Sequence, residues 1–163
     1  MVRAVYSGSF DMFTIGHLDI IDQAVKLFDE IIIVIQNNPT KKRRYTVESC
    51  KEFIEQALAS NCYDDVVSVD VSDVPASLYA KTHGCEFVIR GLRNTSDYLY
   101  EEKISDFYNA VCPFFDLVYF KSRFDKISSS LVEGLLQAGV DIEEIQKDYL
   151  PADISILKRC DAE

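Results

Sequence analysis

The sequence predicts an α/β fold: a doubly wound, five-stranded parallel sheet with helices on both faces, in a single domain spanning 1–163. Three observations predict it. Short β-branched apolar runs alternate along the chain with helical patterns, as in successive β-α-β units with right-handed crossovers. The run Ile31-Ile32-Ile33-Val34-Ile35 is unbroken, as expected of a parallel strand covered on both faces. The chain has 163 residues and is 48% hydrophobic, enough for one core. No repeat, low-complexity tract or linker interrupts it.

The elements follow in order. Val2 to Tyr6 is a first strand. Leu18, Ile21, Val25 and Phe28 then fall on one helical face, with Ile20, Ala24 and Leu27 beside it. Ile31 to Ile35 is the second strand, ended by Gln36-Asn37-Asn38-Pro39-Thr40. Thr46 caps a helix over Val47 to Ala59 that turns Cys50, Phe53, Ile54, Ala57 and Leu58 inward. Val66 to Val71 alternates as a third strand. Pro75 and Gly84 bracket a helix over Ala76 to His83. Cys85 to Arg90 is a fourth strand, Ser96 to Ala110 a helix, and Phe114 to Phe120 a fifth strand. Ser128-Ser129-Ser130 opens a helix ending near Gly139. Glu143 to Lys147 and Ile154 to Arg159 are short closing helices. The result is a Rossmann-like order of elements.

Composition narrows the function. With 17 basic and 27 acidic residues the net charge is −10, which argues against nucleic acid and anionic membranes as partners. The basic residues are nonetheless bunched, at Lys41 to Arg44, at Arg90 and Arg93, and at Lys121, Arg123 and Lys126. Local cationic spots on an acidic protein suit a small anionic ligand. Five cysteines without a C-x-x-C pair point to free thiols, and two histidines are too few for a His-rich metal site. The absence of a signal peptide or apolar span makes a cytoplasmic protein the expectation.

In a parallel sheet the loops after the strands gather at one end, where ligands bind. Those loops carry Ser9 to His17, Asn37 to Arg44, Ser72 to Ala76, Arg90 to Arg93 and Lys121 to Ser130. Between the first strand and helix lies Gly8-Ser9-Phe10-Asp11-Met12-Phe13-Thr14-Ile15-Gly16-His17. Gly8 lets a phosphate approach the backbone, Ser9 donates to it, and Gly16 clears space beside His17 at a helix N-terminus that favours anions. Arg90 is placed at a strand end for bidentate phosphate contact, with Gly91 allowing close approach of a nucleotide. Three serines at 128–130 exceed what capping requires and form a seat for terminal phosphates. His83, before a helix-ending glycine, is read as structural.

Gly8 to His17 resembles the Thr-x-Gly-His signature of the nucleotidyltransferase superfamily. With Pro39-Thr40-Lys41-Lys42, Ile89-Arg90-Gly91-Leu92-Arg93, Asp97-Tyr98-Leu99-Tyr100-Glu101 and Ile127-Ser128-Ser129-Ser130-Leu131-Val132 in order, the chain resembles the phosphopantetheine adenylyltransferases from about Val2 to Pro151. The resemblance implies transfer of the adenylyl group of ATP to 4′-phosphopantetheine, giving dephospho-coenzyme A and pyrophosphate, the penultimate step of coenzyme A synthesis. It also implies Mg²⁺, a homohexamer and coenzyme A as feedback inhibitor. It places Ser9, Lys41 and Arg90 on phosphopantetheine, with the backbone near Ala76 along its arm. It places Ser9, Phe10, His17, Gly91, Leu92, Arg93, Glu101, Phe124, Asp125, Lys126, Ile127, Ser128, Ser129 and Ser130 on ATP. His17 and Lys41, assisted by Ser9, fall to the α-phosphate in the transition state.

The chain departs from the family pattern in places. Ser7, Met12 and Arg43 stand where the family usually has Pro. No Arg follows Asn109, where the family often has one, and Phe124-Asp125-Lys126 differs from the usual aromatic run. Two other readings stand beside it. Adenylyltransferases of nicotinamide or nicotinic mononucleotide favour Ser-Ser-Thr-x-x-Arg, whereas Glu133 stands at the Arg position here. A sensor that holds ATP without turnover is the rival from a different class.

Overall fold

The computed structural model describes residues 1–37, 42–111 and 115–160, apart from the side chains of 104 and 106–111. Five strands form one parallel sheet: β1 (Arg3–Gly8), β2 (Glu30–Gln36), β3 (Val67–Ser72), β4 (Phe87–Leu92) and β5 (Asp116–Lys121), in the order β3-β2-β1-β4-β5. Each is joined to the next through a helix: α1 (Ile15–Ala24), α2 (Val47–Ser60), α3 (Ala76–Thr82) and α4 (Thr95–Val111). After β5 come α5 (Ser129–Gln137) and α6 (Ile142–Tyr149). The chain steps outward from β1 to β3, then returns to the other side of β1 for β4 and β5. The gap above β1 and β4 is therefore the switch point at which ligands bind in such sheets.

Period-2 alternation divides β2 between two cores. Ile31, Ile33 and Ile35 face the larger one, with Phe53 and Ile54 of α2, Ile20 and Ile21 of α1, Val132 of α5 and Ile145 of α6. Ile32 and Val34 face the smaller one, with Val5, Val88 and the α3 residues Ala76, Tyr79 and Ala80. This two-sided burial is why the run carries no polar residue. No described helix is long and apolar enough to cross a membrane.

α3 and α5 end beside the glycines expected to close them, α3 at Thr82 and α5 at Gln137. Gly84 (φ 66) and Gly139 (φ 78) take left-handed conformations after α3 and α5, and the next amides close the turn, Cys85 N–H on Ala80 O at 2.8 Å and Val140 N–H on Leu135 O at 3.1 Å. Cys85 therefore belongs to the helix ending, and β4 starts at Phe87. The first helix stops at Ala24, leaving Leu27 63% exposed.

The helix expected over Ile154 to Arg159 is corrected: a single 3₁₀ turn covers Ile154–Ile156. The residues beyond it run extended against the start of α2. Thr46 N–H donates to Lys158 O (2.8 Å), Cys160 N–H donates to Arg44 O (2.9 Å), and Tyr45 and Arg159 form an antiparallel bridge. Backbone partners on another segment outbid the helical pattern. His83 stacks on Tyr79 with ring centroids 3.8 Å apart, and its Nδ1 lies 2.9 Å from Tyr79 O.

Candidate active site

A cleft of about 480 Å³ opens at the switch point. Its walls come from the end of β1 and the loop after it (Ser7 to Asp11, Thr14, Gly16, His17), the end of β4 (Arg90, Gly91, Arg93), the first turns of α4 (Asp97, Tyr100, Glu101), Arg44, and the start of α5 (Ile127 to Ser130). His17 and the three serines, 111 to 113 positions apart in the chain, face one cleft.

The loop after β1 is held in an unusual shape. Phe10 (φ 41) and Met12 (φ 128) both take positive φ, at a cost of about 1–3 kcal/mol each when, as here, the residue is not glycine. Proline, fixed near φ −65°, cannot adopt the Met12 conformation. Surrounding contacts hold the loop. The Phe10 ring is 3% exposed, in edge contact with Tyr6 and His17, and covers Gly8, where a Cβ would lie 3.0 Å from the ring. Gly8 is thus required by Phe10. Ser129 Oγ donates to Met12 O at 2.7 Å.

Between the two strained residues, Asp11 anchors the loop to the chain preceding α2. Its carboxylate accepts from Arg44 N–H (3.1 and 2.9 Å) and Tyr45 N–H (3.0 Å), and Arg43 Nη2 lies 3.8 Å away. Sequence reasoning gave Asp11 no role. The available signal was a carboxylate within the strand-to-helix turn, where Asp commonly accepts from nearby backbone N–H groups.

Thr14 N–H donates to His17 Nδ1 at 3.0 Å, with Thr14 Oγ1 3.1 Å from the same nitrogen. Nδ1 is therefore an acceptor, and the neutral ring carries its hydrogen on Nε2. Burial, followed by the nearby Arg93 guanidinium, lowers the His17 pKa to about 4. The ring stacks on Phe13 at 5.3 Å. His17 is thus a neutral hydrogen-bond donor near pH 7, not a cation.

Two arginines of the cleft, Arg90 and Arg93, are matched by carboxylates. Arg90 Nε and Nη2 donate to Glu101 at 2.7 and 2.9 Å, and Nη1 donates to Ser7 O and Ser7 Oγ, both at 3.2 Å. Arg93 Nε donates to Asp97 Oδ2 at 3.0 Å. Gly91 meets protein: a Cβ there would lie 3.2 Å from Ile20 Cγ1 and 3.4 Å from Tyr6 Oη, so its bareness seats α1 against β4.

The serines divide their duties. Ser128 Oγ accepts from Leu131 N–H at 3.1 Å and so caps α5, which leaves its own hydrogen for an outward partner. Ser129 is bound to Met12 O, and Ser130 is exposed at the cleft.

Of the residues expected at the site, Ser9, Phe10, His17, Arg90, Gly91, Arg93, Glu101, Ile127, Ser128, Ser129 and Ser130 line this cleft. Leu92, Phe124, Asp125 and Lys126 do not, and Ala76 is buried (1% exposed) in the smaller core. Lys41 lies outside the described residues, as does the side chain of Asn109. Arg123 points away from the cleft, pairing with the buried Asp19 and with Asp22 of α1 (2.7 Å). Among the described residues no group of three or more His, Cys, Asp or Glu side chains could hold a metal ion.

Comparison with known proteins agrees with this arrangement. The cytidylyltransferase-like family matches residues 5–134. The phosphopantetheine adenylyltransferase of Streptococcus pyogenes serotype M2 is 38% identical over 152 residues, 92% of each chain. That of Thermotoga neapolitana is 36% identical over 143 residues, 86% of this chain and 87% of the relative. Among solved structures, the nicotinic acid mononucleotide adenylyltransferase of Plasmodium falciparum complexed with NaAD superposes with a TM-score of 0.67 at 19% identity, covering 91% of this chain and 89% of that one. The bifunctional NMN adenylyltransferase/ADP ribose pyrophosphatase of Francisella tularensis also gives 0.67 at 19% identity, over 96% of this chain and 46% of that one. At such identity the structural matches speak to the fold alone.

Proposed function

The chain belongs to the cytidylyltransferase-like family and, within it, to the phosphopantetheine adenylyltransferases, and from that membership we propose how its cleft transfers the adenylyl group of ATP to 4′-phosphopantetheine, giving dephospho-coenzyme A and pyrophosphate. The observation that carries the proposal is the meeting of His17, Arg90 and Ser128–Ser130 in one cleft at the switch point. A phosphate oxygen of 4′-phosphopantetheine bonds to the α-phosphorus of ATP, the bond from that phosphorus to the oxygen bridging the β-phosphate breaks, and pyrophosphate leaves. The nucleophile is already an anion, so no strong protein base is needed. The protein's part is orientation and stabilisation of charge.

His17 gives its Nε2 hydrogen to an oxygen of the α-phosphate, at the N-terminus of α1. Its lowered pKa favours the neutral donor across the neutral range. The Ser128 hydroxyl and the first amides of α5 receive the leaving phosphates. Arg90, steered by Glu101 and Ser7, orients the phosphate of 4′-phosphopantetheine, with Ser9 beside it. Lys41 is kept in its expected role on the α-phosphate.

Mg²⁺ would arrive on the triphosphate. The carboxylates of the cleft, Asp11, Asp97 and Glu101, are already bound to protein N–H groups, so the residues present form no cage for it. Its contribution would be neutralisation of phosphate charge. Coenzyme A, which shares parts of both substrates, is proposed as a competing ligand, and a homohexamer as the assembly.

The test is pyrophosphate release from ATP with 4′-phosphopantetheine, nicotinamide mononucleotide or no acceptor. Release only with 4′-phosphopantetheine is expected, and His17→Ala should slow it on the order of 10²-fold. Release with the mononucleotide would favour the rival transferase, and ATP binding without turnover would favour a sensor.

A further inference from the structure

Arg43 belongs to the basic run Lys41–Arg44, whose charge by itself suggests a phosphate ligand. The structure turns this side chain inward: only 10% of it is exposed. Its Nη1 donates to Ser9 O at 2.9 Å, its Nε to Tyr45 O at 3.3 Å, and its Nη2 to Cys50 Sγ at 3.5 Å. Nη2 also lies 3.8 Å from Asp11 Oδ1. One planar guanidinium thus touches the loop after β1 twice, at Ser9 and Asp11, the chain leading into α2 at Tyr45, and α2 itself at Cys50. Asp11 completes the clasp by accepting the amides of Arg44 and Tyr45.

We infer that Arg43 is a positioning residue for adenylyl transfer: it locks the ligand-facing Ser9 to the segment that presents Arg44, and so sets the width of the cleft on the side of β1. The inference rests on the proposed roles of the cleft-lining residues. Two physical arguments support it. A rigid five-donor fork can serve acceptors in four directions, which a lysine ammonium on a flexible stem cannot match. Proline, which the family pattern places at this position, would supply none of these contacts. This chain also carries the Phe10 and Met12 strain, which persists only where neighbours over-determine the backbone. Arg43 and Asp11 join Ser129, which holds Met12 O, in fixing that loop.

The experiment compares wild type, Arg43→Lys and Arg43→Ala in pyrophosphate release at saturating ATP and 4′-phosphopantetheine, with thermal unfolding measured alongside. Arg43→Ala should lower kcat on the order of 10- to 100-fold, the scale of a small misplacement of reacting groups. Arg43→Lys should recover part of it, and millimolar guanidinium ion should restore turnover to Arg43→Ala while leaving wild type unchanged. Turnover of Arg43→Ala within twofold of wild type would overturn the inference. So would a loss that guanidinium does not restore, since that is the mark of general destabilisation. A wild type that releases no pyrophosphate would instead refute the proposed reaction. The clasp would then be judged by the affinity of MgATP, which should weaken several-fold in Arg43→Ala and would speak against a positioning role if unchanged.

Discussion

Acidification from pH 6.5 to 4 should cost this protein stability through His17 in particular, and the cost follows from the site. The ring is partly buried, its Nδ1 accepts a backbone N–H, and Arg93 disfavours a second cation, so its pKa falls from 6.5 to about 4. An unfolded chain binds a proton there near pH 6.5, whereas the folded one waits until about pH 4. Between those values the unfolded state holds more protons, so stability rises with pH across the window and falls as pH drops through it. A shift of this size corresponds to at most about 3–4 kcal/mol, reduced by screening on the side open to the cleft. The perturbation is His17→Gln, since glutamine can still accept the Thr14 N–H at the third helical position and does not titrate. Urea unfolding of both proteins from pH 4 to 7.5 gives the difference, in which carboxylates common to both cancel. Wild type should lose about 2–3 kcal/mol more than His17→Gln on going from pH 7 to 4. With only two histidines in the chain, ring ¹⁵N spectra can follow His17 directly and should show an Nε2–H tautomer at pH 5.5, with only about 3% of rings protonated. Parallel stability curves, or a ring that titrates near 6.5, would refute the neutral-donor assignment.

Two further outcomes follow from packing and pairing. Arg90→Ala should destabilise by about 3–5 kcal/mol, because it strands Glu101, whose side chain is 11% exposed, without a partner. Replacing both Arg90 and Glu101 with Met should return most of that stability by thermal melts while the KM for 4′-phosphopantetheine stays raised more than that for ATP; equal KM effects would remove Arg90 from the acceptor side. Gly91→Ala should lower the urea midpoint by the equivalent of about 1–3 kcal/mol, since the new Cβ lies 3.2 Å from Ile20 Cγ1, and an unchanged midpoint would show that α1 can shift at no cost.

The alternation of apolar runs and helical periods was enough to establish the parallel sheet and the gathering of its loops, because burial on one or both faces dictates which positions are apolar. Ile31 to Ile35 could only be a strand between two cores, and Thr46 and Ser128 cap the helices their positions implied. The short motifs after β1, β4 and β5 marked the cleft walls for the same reason: a residue just past a parallel strand has one end of the sheet to occupy. The direction of each charged side chain was decided only by tertiary contact. Arg43 turned inward to Ser9 and Asp11, Arg123 turned back to Asp19 across 104 positions, and Arg90 met Glu101 and Ser7. The positive φ of Met12 likewise depends on Ser129, 117 positions away. A basic residue has the same letter whether it faces a phosphate or a carboxylate of its own chain. Coulomb energy and desolvation select between the two only once the segments that carry the partners have been brought within a few ångströms.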